Sequence, residues 1–104
     1  MAALNEKPLL ILGGGLMGLA LAHEIAKKGK RVEVLSRSRH EAAGFVAAGM
    51  LAPHAEGLKG SLLNLGQISL QRQPNWVKSI EANSKMSCGL KTCGIVVPFE
   101  NLKD

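Results

Sequence analysis

Leu9-Leu-Ile-Leu-Gly-Gly-Gly-Leu-Met-Gly18 is the stretch that decides the fold of this chain. Its apolar start, residues 9–12, runs into a glycine turn with the G-x-G-x-x-G spacing of Gly13, Gly15 and Gly18. In such a turn the first glycine allows a tight bend and the second lets the backbone approach a pyrophosphate. The third permits close packing of helix on strand. The stretch therefore predicts a strand, a phosphate-binding turn and a helix.

The residues after the turn continue this pattern. Apolar positions at helical spacing predict a helix from near Leu16 to about Lys28, and Gly29 is the expected C-terminal glycine. Residues 31–35 then predict a second strand, parallel to the first. The free N–H groups and positive dipole end of the helix would face bound phosphates, so this βαβ pattern indicates a dinucleotide site.

The rest of the chain predicts further helix and one more strand. Apolar residues from Ser61 to about Ala82 favour helix, with Pro74 predicted to divide it into two helices or to mark a restart. Residues 95–99, Ile-Val-Val-Pro-Phe, predict a third strand. The fold class expected is α/β: a partial Rossmann-like domain made of an N-terminal βαβ unit, following helices and a third strand.

Length and composition indicate an incomplete domain. The chain has 104 residues, 46% of them hydrophobic but only 3% aromatic, so a single modest aliphatic core is expected. A complete doubly wound domain usually needs about 150 residues. We therefore expect either the N-terminal part of a longer enzyme or a chain that completes its sheet with a partner, including a copy of itself.

The end of the second strand normally carries an acidic residue for the ribose hydroxyls of a dinucleotide. Here the sequence is Ser36-Arg-Ser-Arg39. Arginine forks match phosphate groups, so the residues alone also fit the 2′-phosphate of NADP and an NADP-binding reductase domain. A plainer interpretation is a solvated loop in which Ser36 caps a turn.

Other features exclude several classes of protein. The net charge of +5 is mostly dispersed, and the basic cluster at the helix end has no interleaved aromatic residues, so nucleic-acid binding is not expected. No apolar run reaches the length of a membrane span. Two cysteines, Cys88 and Cys93, lack zinc-site spacing, so we expect no metal site and a cytoplasmic location with reduced thiols.

A second, more specific motif is Ala47-Ala-Gly-Met-Leu51 followed by His54-Ala-Glu56. Together with the glycine turn, it resembles the FAD-dependent D-amino acid oxidase family, and most closely its glycine oxidase branch, the thiamine-biosynthesis oxidoreductases. The resemblance covers essentially the whole chain as the first quarter to third of such an enzyme. It implies residues 1–60 as the N-terminal part of an FAD/NAD(P)-binding Rossmann-like domain, and residues 61–104 as a helical segment and strand leading towards the substrate domain.

The resemblance also implies cofactor contacts. Backbone groups of the glycine turn would hold the FAD pyrophosphate, and the small-residue loop would lie along the cofactor towards the flavin. Where the family usually has Glu for the adenosine ribose, Ser36 can offer a single hydroxyl, and Arg37 would lie along the adenine or reach a phosphate. The implied FAD contacts are Gly13, Gly15, Leu16, Met17, Gly18, Ser36, Arg37, Ala43, Gly44, Ala48, Gly49 and Met50.

The implied reaction is oxidative deamination of a small amino acid such as glycine, with release of hydrogen peroxide, supplying the thiazole of thiamine. Family members bind the substrate carboxylate with Arg and Tyr from later sequence, so no residue of this chain is predicted to be catalytic and the 104 residues alone are expected to be inactive. His54 fits a packing or hydrogen-bonding residue better than a base, and the two cysteines fit uninvolved thiols better than a redox pair. The alternatives left open are an NADP-binding reductase domain and a non-catalytic, self-associating fragment.

Overall fold

A computed structural model describes residues 7–98 of the chain. It contains strand β1 (Leu9–Leu12), helix α1 (Leu16–Lys27), strand β2 (Val32–Leu35), two short 3-10 helices (Arg39–Glu41 and Ala43–Phe45) and helix α2 (Gly60–Ser84). The chain divides into two compact units between Gly49 and Met50.

The first unit is built on a two-stranded parallel sheet. β1 and β2 pair in register from Leu9 with Val32 to Leu12 with Leu35. α1 connects them and packs on both strands, because small and apolar side chains recur along it at helical spacing. The predicted strand–turn–helix–strand order is confirmed, and so is the α/β class.

Gly29 ends α1 as predicted. It has a φ of +74°, the left-handed region that glycine adopts without a Cβ penalty. The Gly29 N–H donates to the Ala26 carbonyl (2.9 Å), and the Lys30 N–H donates to the Ile25 carbonyl (3.4 Å). This pair of bonds is a Schellman motif, which satisfies the last helical carbonyls and directs the chain into β2.

The second unit is dominated by α2, a single helix of 25 residues. The prediction that Pro74 divides this segment is wrong, since the helix continues through it. Proline removes one N–H donor and crowds the carbonyl four residues back, but the bonds of the other turns are enough to keep one element. Lys85, at a φ of +55°, ends the helix by donating its N–H to the Glu81 carbonyl (2.8 Å).

The predicted third strand is absent from the part of it that is described. Residues 95–98 adopt no regular structure, and Phe99 lies outside the described residues. A strand exists only where a neighbouring strand accepts its hydrogen bonds, and the described sheet has β1 and β2 alone. Val96 is accordingly 96% exposed.

The predicted aliphatic core does not form within residues 7–98. Ile11 in the first unit and Val77 in the second are the buried hydrophobic residues there, each 8% exposed. Leucines on β1, α1 and α2 remain open to solvent. Parallel sheets are normally covered on both faces, so these elements present apolar surface suited to further packing.

Candidate functional site

The glycine turn joins the end of β1 to the start of α1. Gly13 has a φ of +111°, a conformation that L-residues rarely adopt, and its N–H donates to the Leu35 carbonyl at 2.8 Å. Gly15 is the N-cap of α1 and provides no side-chain cap. The N–H groups of Leu16, Met17 and Gly18 begin the helix, where backbone donors have no intrahelical acceptor. These donors suit an anionic group.

The space around three glycines of the turn shows what a side chain would meet at each position. A Cβ on Gly18 would overlap the Gly13 carbonyl and stand 3.5 Å from Ile11 Cγ2, which is the close packing predicted for the third glycine. A Cβ on Gly14 would stand 2.8 Å from Ser36 Cβ. At Gly15 the nearest atom is Ala42 Cβ at 3.9 Å, so space beside it is open for a ligand. The turn therefore fits a pyrophosphate.

The residues after β2 fold back beside this turn. Ser36 lies against Gly14, as the structure shows directly. Arg37 forms an ion pair with Glu41, with 2.8 Å between Nη2 and Oε2. Arg37 is 90% exposed and its partner carboxylate is 57% exposed, so this ion pair is open to solvent and contributes little stability.

The small-residue loop is split between the two units. Ala43 and Gly44 lie in the second 3-10 helix, followed by the exposed Ala48 and by Gly49 at a φ of +79°. These four share the first unit with the glycine turn, whereas Met50 belongs to the second unit. The structure thus brings Ser36 to the glycine turn, whereas Met50 lies in the second unit.

Met50 lines a cavity of about 200 Å³ between residues 50–58 and α2. The polar groups of this cavity are Glu56, Ser69 and Gln73, and the rest of its lining is mainly apolar. The segment is held to the helix at two neighbouring positions. Pro53 occupies the space where Gly66 lacks a side chain, with Pro53 Cβ 2.9 Å from the position of a Gly66 Cβ.

His54 makes the second contact with α2. Its Nε2 lies 3.0 Å from Nε2 of Gln67, a hydrogen bond in which the amide nitrogen donates and the ring nitrogen accepts. Backbone bonds from the Glu56 N–H to the Ala52 carbonyl (3.0 Å) and from the Leu58 N–H to the Pro53 carbonyl (3.2 Å) close the same turn.

Other candidate chemistry is sparse. Cys88 and Cys93 are exposed free thiols. No three His, Cys, Asp or Glu residues between 7 and 98 are grouped to hold a metal ion. Across the same described range, neither α1 nor α2 combines the length and hydropathy that a bilayer span requires.

Two residues at this site were missed by the sequence analysis. Gly14 occupies the second, variable position of the G-x-G-x-x-G motif. The motif does not require glycine there, so its presence was the signal that this position is sterically restricted. Glu41 lies four residues after Arg37, a spacing at which opposite charges often pair within helices. Its pairing with Arg37 depends on how the chain turns after β2, which no local pattern reveals.

Comparison with known proteins agrees with this geometry. The DAO family of FAD dependent oxidoreductases matches residues 9–104, and the chain belongs to this family. The family predicted from the two sequence motifs is therefore confirmed.

Two of the similar proteins are bifunctional ThiO/ThiG proteins. The chain is 46% identical over 93 residues to the bifunctional protein ThiO/ThiG of Synechocystis sp., an alignment that covers 86% of this chain and 14% of that protein. It is 38% identical over 93 residues to the ThiO/ThiG protein of Trichormus variabilis, where the coverage is 88% and 14%.

A shorter match, 44% identical over 48 residues, is to the tRNA 5-methylaminomethyl-2-thiouridine biosynthesis bifunctional protein MnmC of Paracidovorax citrulli. The chain spans about one seventh of the ThiO/ThiG relatives, and no solved structure matches it.

Proposed function

We propose that this chain forms the FAD pyrophosphate site and the flavin-side loop of a glycine-oxidase-like flavin amino-acid oxidase. The observation that carries the proposal is the glycine turn, whose open side at Gly15 meets the unpaired N–H donors of α1. Membership of the FAD dependent oxidoreductase family and the similarity to ThiO/ThiG proteins support FAD as the ligand. The βαβ unit is then the start of a Rossmann-like domain.

The residues of this chain would bind and orient the cofactor. Backbone N–H groups of Leu16, Met17 and Gly18 would donate to the pyrophosphate, and the helix dipole would favour its negative charge. Ala43, Gly44, Ala48 and Gly49 are small and exposed, and would let the main chain approach the cofactor closely. When bound, FAD supplies the two-electron oxidation of the amino acid, with oxygen as final acceptor and hydrogen peroxide as product.

The substrate proposed is a small amino acid, glycine above all, and the product would supply the thiazole part of thiamine. No side chain in residues 7–98 is assigned a catalytic step. The carboxylate-binding and proton-transferring groups are therefore proposed to lie outside this chain, and the 104 residues alone to be inactive. A cytoplasmic location and a possible homo-oligomer complete the proposal.

The test uses two proteins. The first is the chain itself, and the second is the Synechocystis ThiO/ThiG relative with this chain replacing its aligned stretch of 93 residues. FAD binding is measured by flavin fluorescence and visible absorbance, with NADP as competitor. We expect FAD to bind the second protein and NADP not to displace it. Failure of both proteins to bind FAD, or displacement of FAD by NADP, would overturn the proposal.

Activity is then measured in the second protein as hydrogen peroxide released on addition of glycine. The matched control carries Lys78→Ala, because that side chain is exposed on α2 and belongs to none of the proposed cofactor contacts. Peroxide release in both proteins is expected. A protein that binds FAD but oxidises no small amino acid contradicts the substrate part of the proposal and leaves the FAD site standing.

A further inference from the structure

Residues 52–58 form a compact turn before α2 that keeps its own shape. Three backbone hydrogen bonds of 3.0–3.2 Å close it, donated by the N–H groups of Glu56, Gly57 and Leu58 to carbonyls of the same turn. Gly57 has a φ of +68°, a conformation that glycine adopts without a Cβ penalty. Because these bonds are internal, they fix the shape of the turn and leave its orientation on α2 to side-chain contacts.

Two side-chain contacts attach the 52–58 turn to α2, and they differ in kind. Pro53 fills the space beside Gly66, where an added Cβ would stand 2.9 Å from Pro53 Cβ and 3.1 Å from its Cγ. This steric contact sets the separation of turn and helix, but it has little directional preference. The hydrogen bond of 3.0 Å between His54 and Gln67 is directional, and it joins the next residue of the turn to the next residue of the helix.

The same attachment sets the surroundings of Met50. This residue precedes the turn by two positions and lines the cavity of about 200 Å³ to which α2 contributes Gly66, Ser69 and Gln73. Its side chain is unbranched and Met50 is 63% exposed, so packing alone selects no single conformation. The cavity keeps its shape only while the turn stays in place on α2, and the position of Met50 therefore depends on the two contacts.

We propose that Gln67 is a positioning residue for the flavin-side loop. Through its hydrogen bond to His54 it fixes the orientation of the 52–58 turn on α2, and the turn fixes Met50. Gln67 itself touches neither cofactor nor substrate. The inference rests on the proposed function, in which Met50 ends the flavin-side loop. Since the bond between Gln67 and His54 lies at an exposed surface, it directs the turn and contributes little to the stability of the chain.

The test replaces Gln67 by leucine in the Synechocystis ThiO/ThiG protein that carries this chain. Leucine has a helix propensity close to that of glutamine but no polar group, so α2 is preserved and the hydrogen bond is lost. One hydrogen bond corresponds to about fivefold in an equilibrium constant, so amide exchange in the peptide covering residues 52–58 is expected to become about fivefold faster. The matched control is Gln71→Leu, an exposed position one turn further along α2 and outside the cavity, which is expected to leave this exchange unchanged.

The second readout is the visible absorption spectrum of bound FAD, which depends on the groups around the flavin. Gln67→Leu is expected to shift the spectrum and to leave the dissociation constant of FAD within about twofold, because the proposed pyrophosphate donors belong to α1. Gln67→Glu is expected to restore the unsubstituted spectrum, since a carboxylate at this position accepts a hydrogen bond from the other neutral tautomer of His54. In a His54→Ala background, Gln67→Leu is expected to add no further shift.

An unchanged flavin spectrum or unchanged exchange in Gln67→Leu overturns the inference, as does an equal change in Gln71→Leu. It is also overturned if Gln67→Glu fails to restore the spectrum, or if Gln67→Leu adds a further shift in the His54→Ala background, because Gln67 would then act by another route. If the unsubstituted protein binds no FAD, the proposed function fails together with the inference. If it binds FAD and the two leucine variants have the same spectrum, only the inference fails.

Discussion

Replacing Gly18 by alanine tests the geometry on which both the fold and the site depend. The added Cβ would stand 3.1 Å from the Gly13 carbonyl carbon, overlap its oxygen and reach 3.5 Å from Ile11 Cγ2. The carbonyl is backbone and cannot rotate away, so α1 must move from the turn. Overpacking of this kind costs about 1–3 kcal/mol, and we expect the upper part of that range.

Helix propensity opposes this loss. Alanine is favoured over glycine inside a helix by about 1 kcal/mol, so a net loss of about 2 kcal/mol in the free energy of unfolding remains. The movement also displaces the first N–H groups of α1 from the pyrophosphate. A displacement worth about 1.4 kcal/mol weakens FAD binding tenfold, and we expect at least that.

The assay is urea unfolding followed by far-UV circular dichroism, with FAD titration by fluorescence, in the chain and in the ThiO/ThiG protein that carries it. Gly44→Ala is the control for urea unfolding, because it has an ordinary φ and no atom within 4 Å of the new Cβ. Lys78→Ala, an exposed position of α2 outside the proposed contacts, is the control for FAD titration. If Gly18→Ala resists urea as well as Gly44→Ala and binds FAD as tightly as Lys78→Ala, the close approach of α1 to the turn is refuted.

Three further substitutions separate backbone, steric and helical effects. Gly13→Ala adds a side chain in open space at a φ of +111°, so its loss relative to Gly44→Ala measures backbone strain alone, about 1–3 kcal/mol in urea unfolding. Gly66→Ala would place its Cβ 2.9 Å from the rigid ring of Pro53, and we expect a lower thermal midpoint with the turn before α2 released, visible as faster proteolysis there. Pro74→Ala restores a helical N–H and is expected to raise the thermal midpoint, the propensity difference being about 3 kcal/mol; a lower midpoint would show that the ring contributes packing that outweighs it.

The sequence was sufficient where local interactions decide the structure. A glycine at positive φ ends α1 at Gly29, and an apolar run before three glycines places β1 and the turn. These features depend on the conformational limits of single residues and on contacts within about 30 positions. The family followed from the same stretch together with residues 47–56.

Features that depend on longer-range contacts were not predictable in this way. Pro74 has a strong local preference against a helix interior, yet the hydrogen bonds of the surrounding turns preserve α2. Residues 95–98 have the composition of a strand, but a strand also needs a neighbour. The pairing of Glu41 with Arg37 depends on the 3-10 turn that Ser38 caps, and the residue types alone do not predict that turn.

The hydrogen bond from the Gly13 N–H to the Leu35 carbonyl makes the opening of the turn measurable by amide exchange. It follows the last pair of the sheet, Leu12 with Leu35, and joins the first glycine of the turn to β2. The Gly13 amide proton can therefore exchange with solvent only when β2 and the turn separate. Amide exchange at this glycine therefore reports how often β2 and the glycine turn separate. A ligand bound to the N–H donors of α1 is expected to slow that exchange by the factor by which it stabilises the closed turn over the open one.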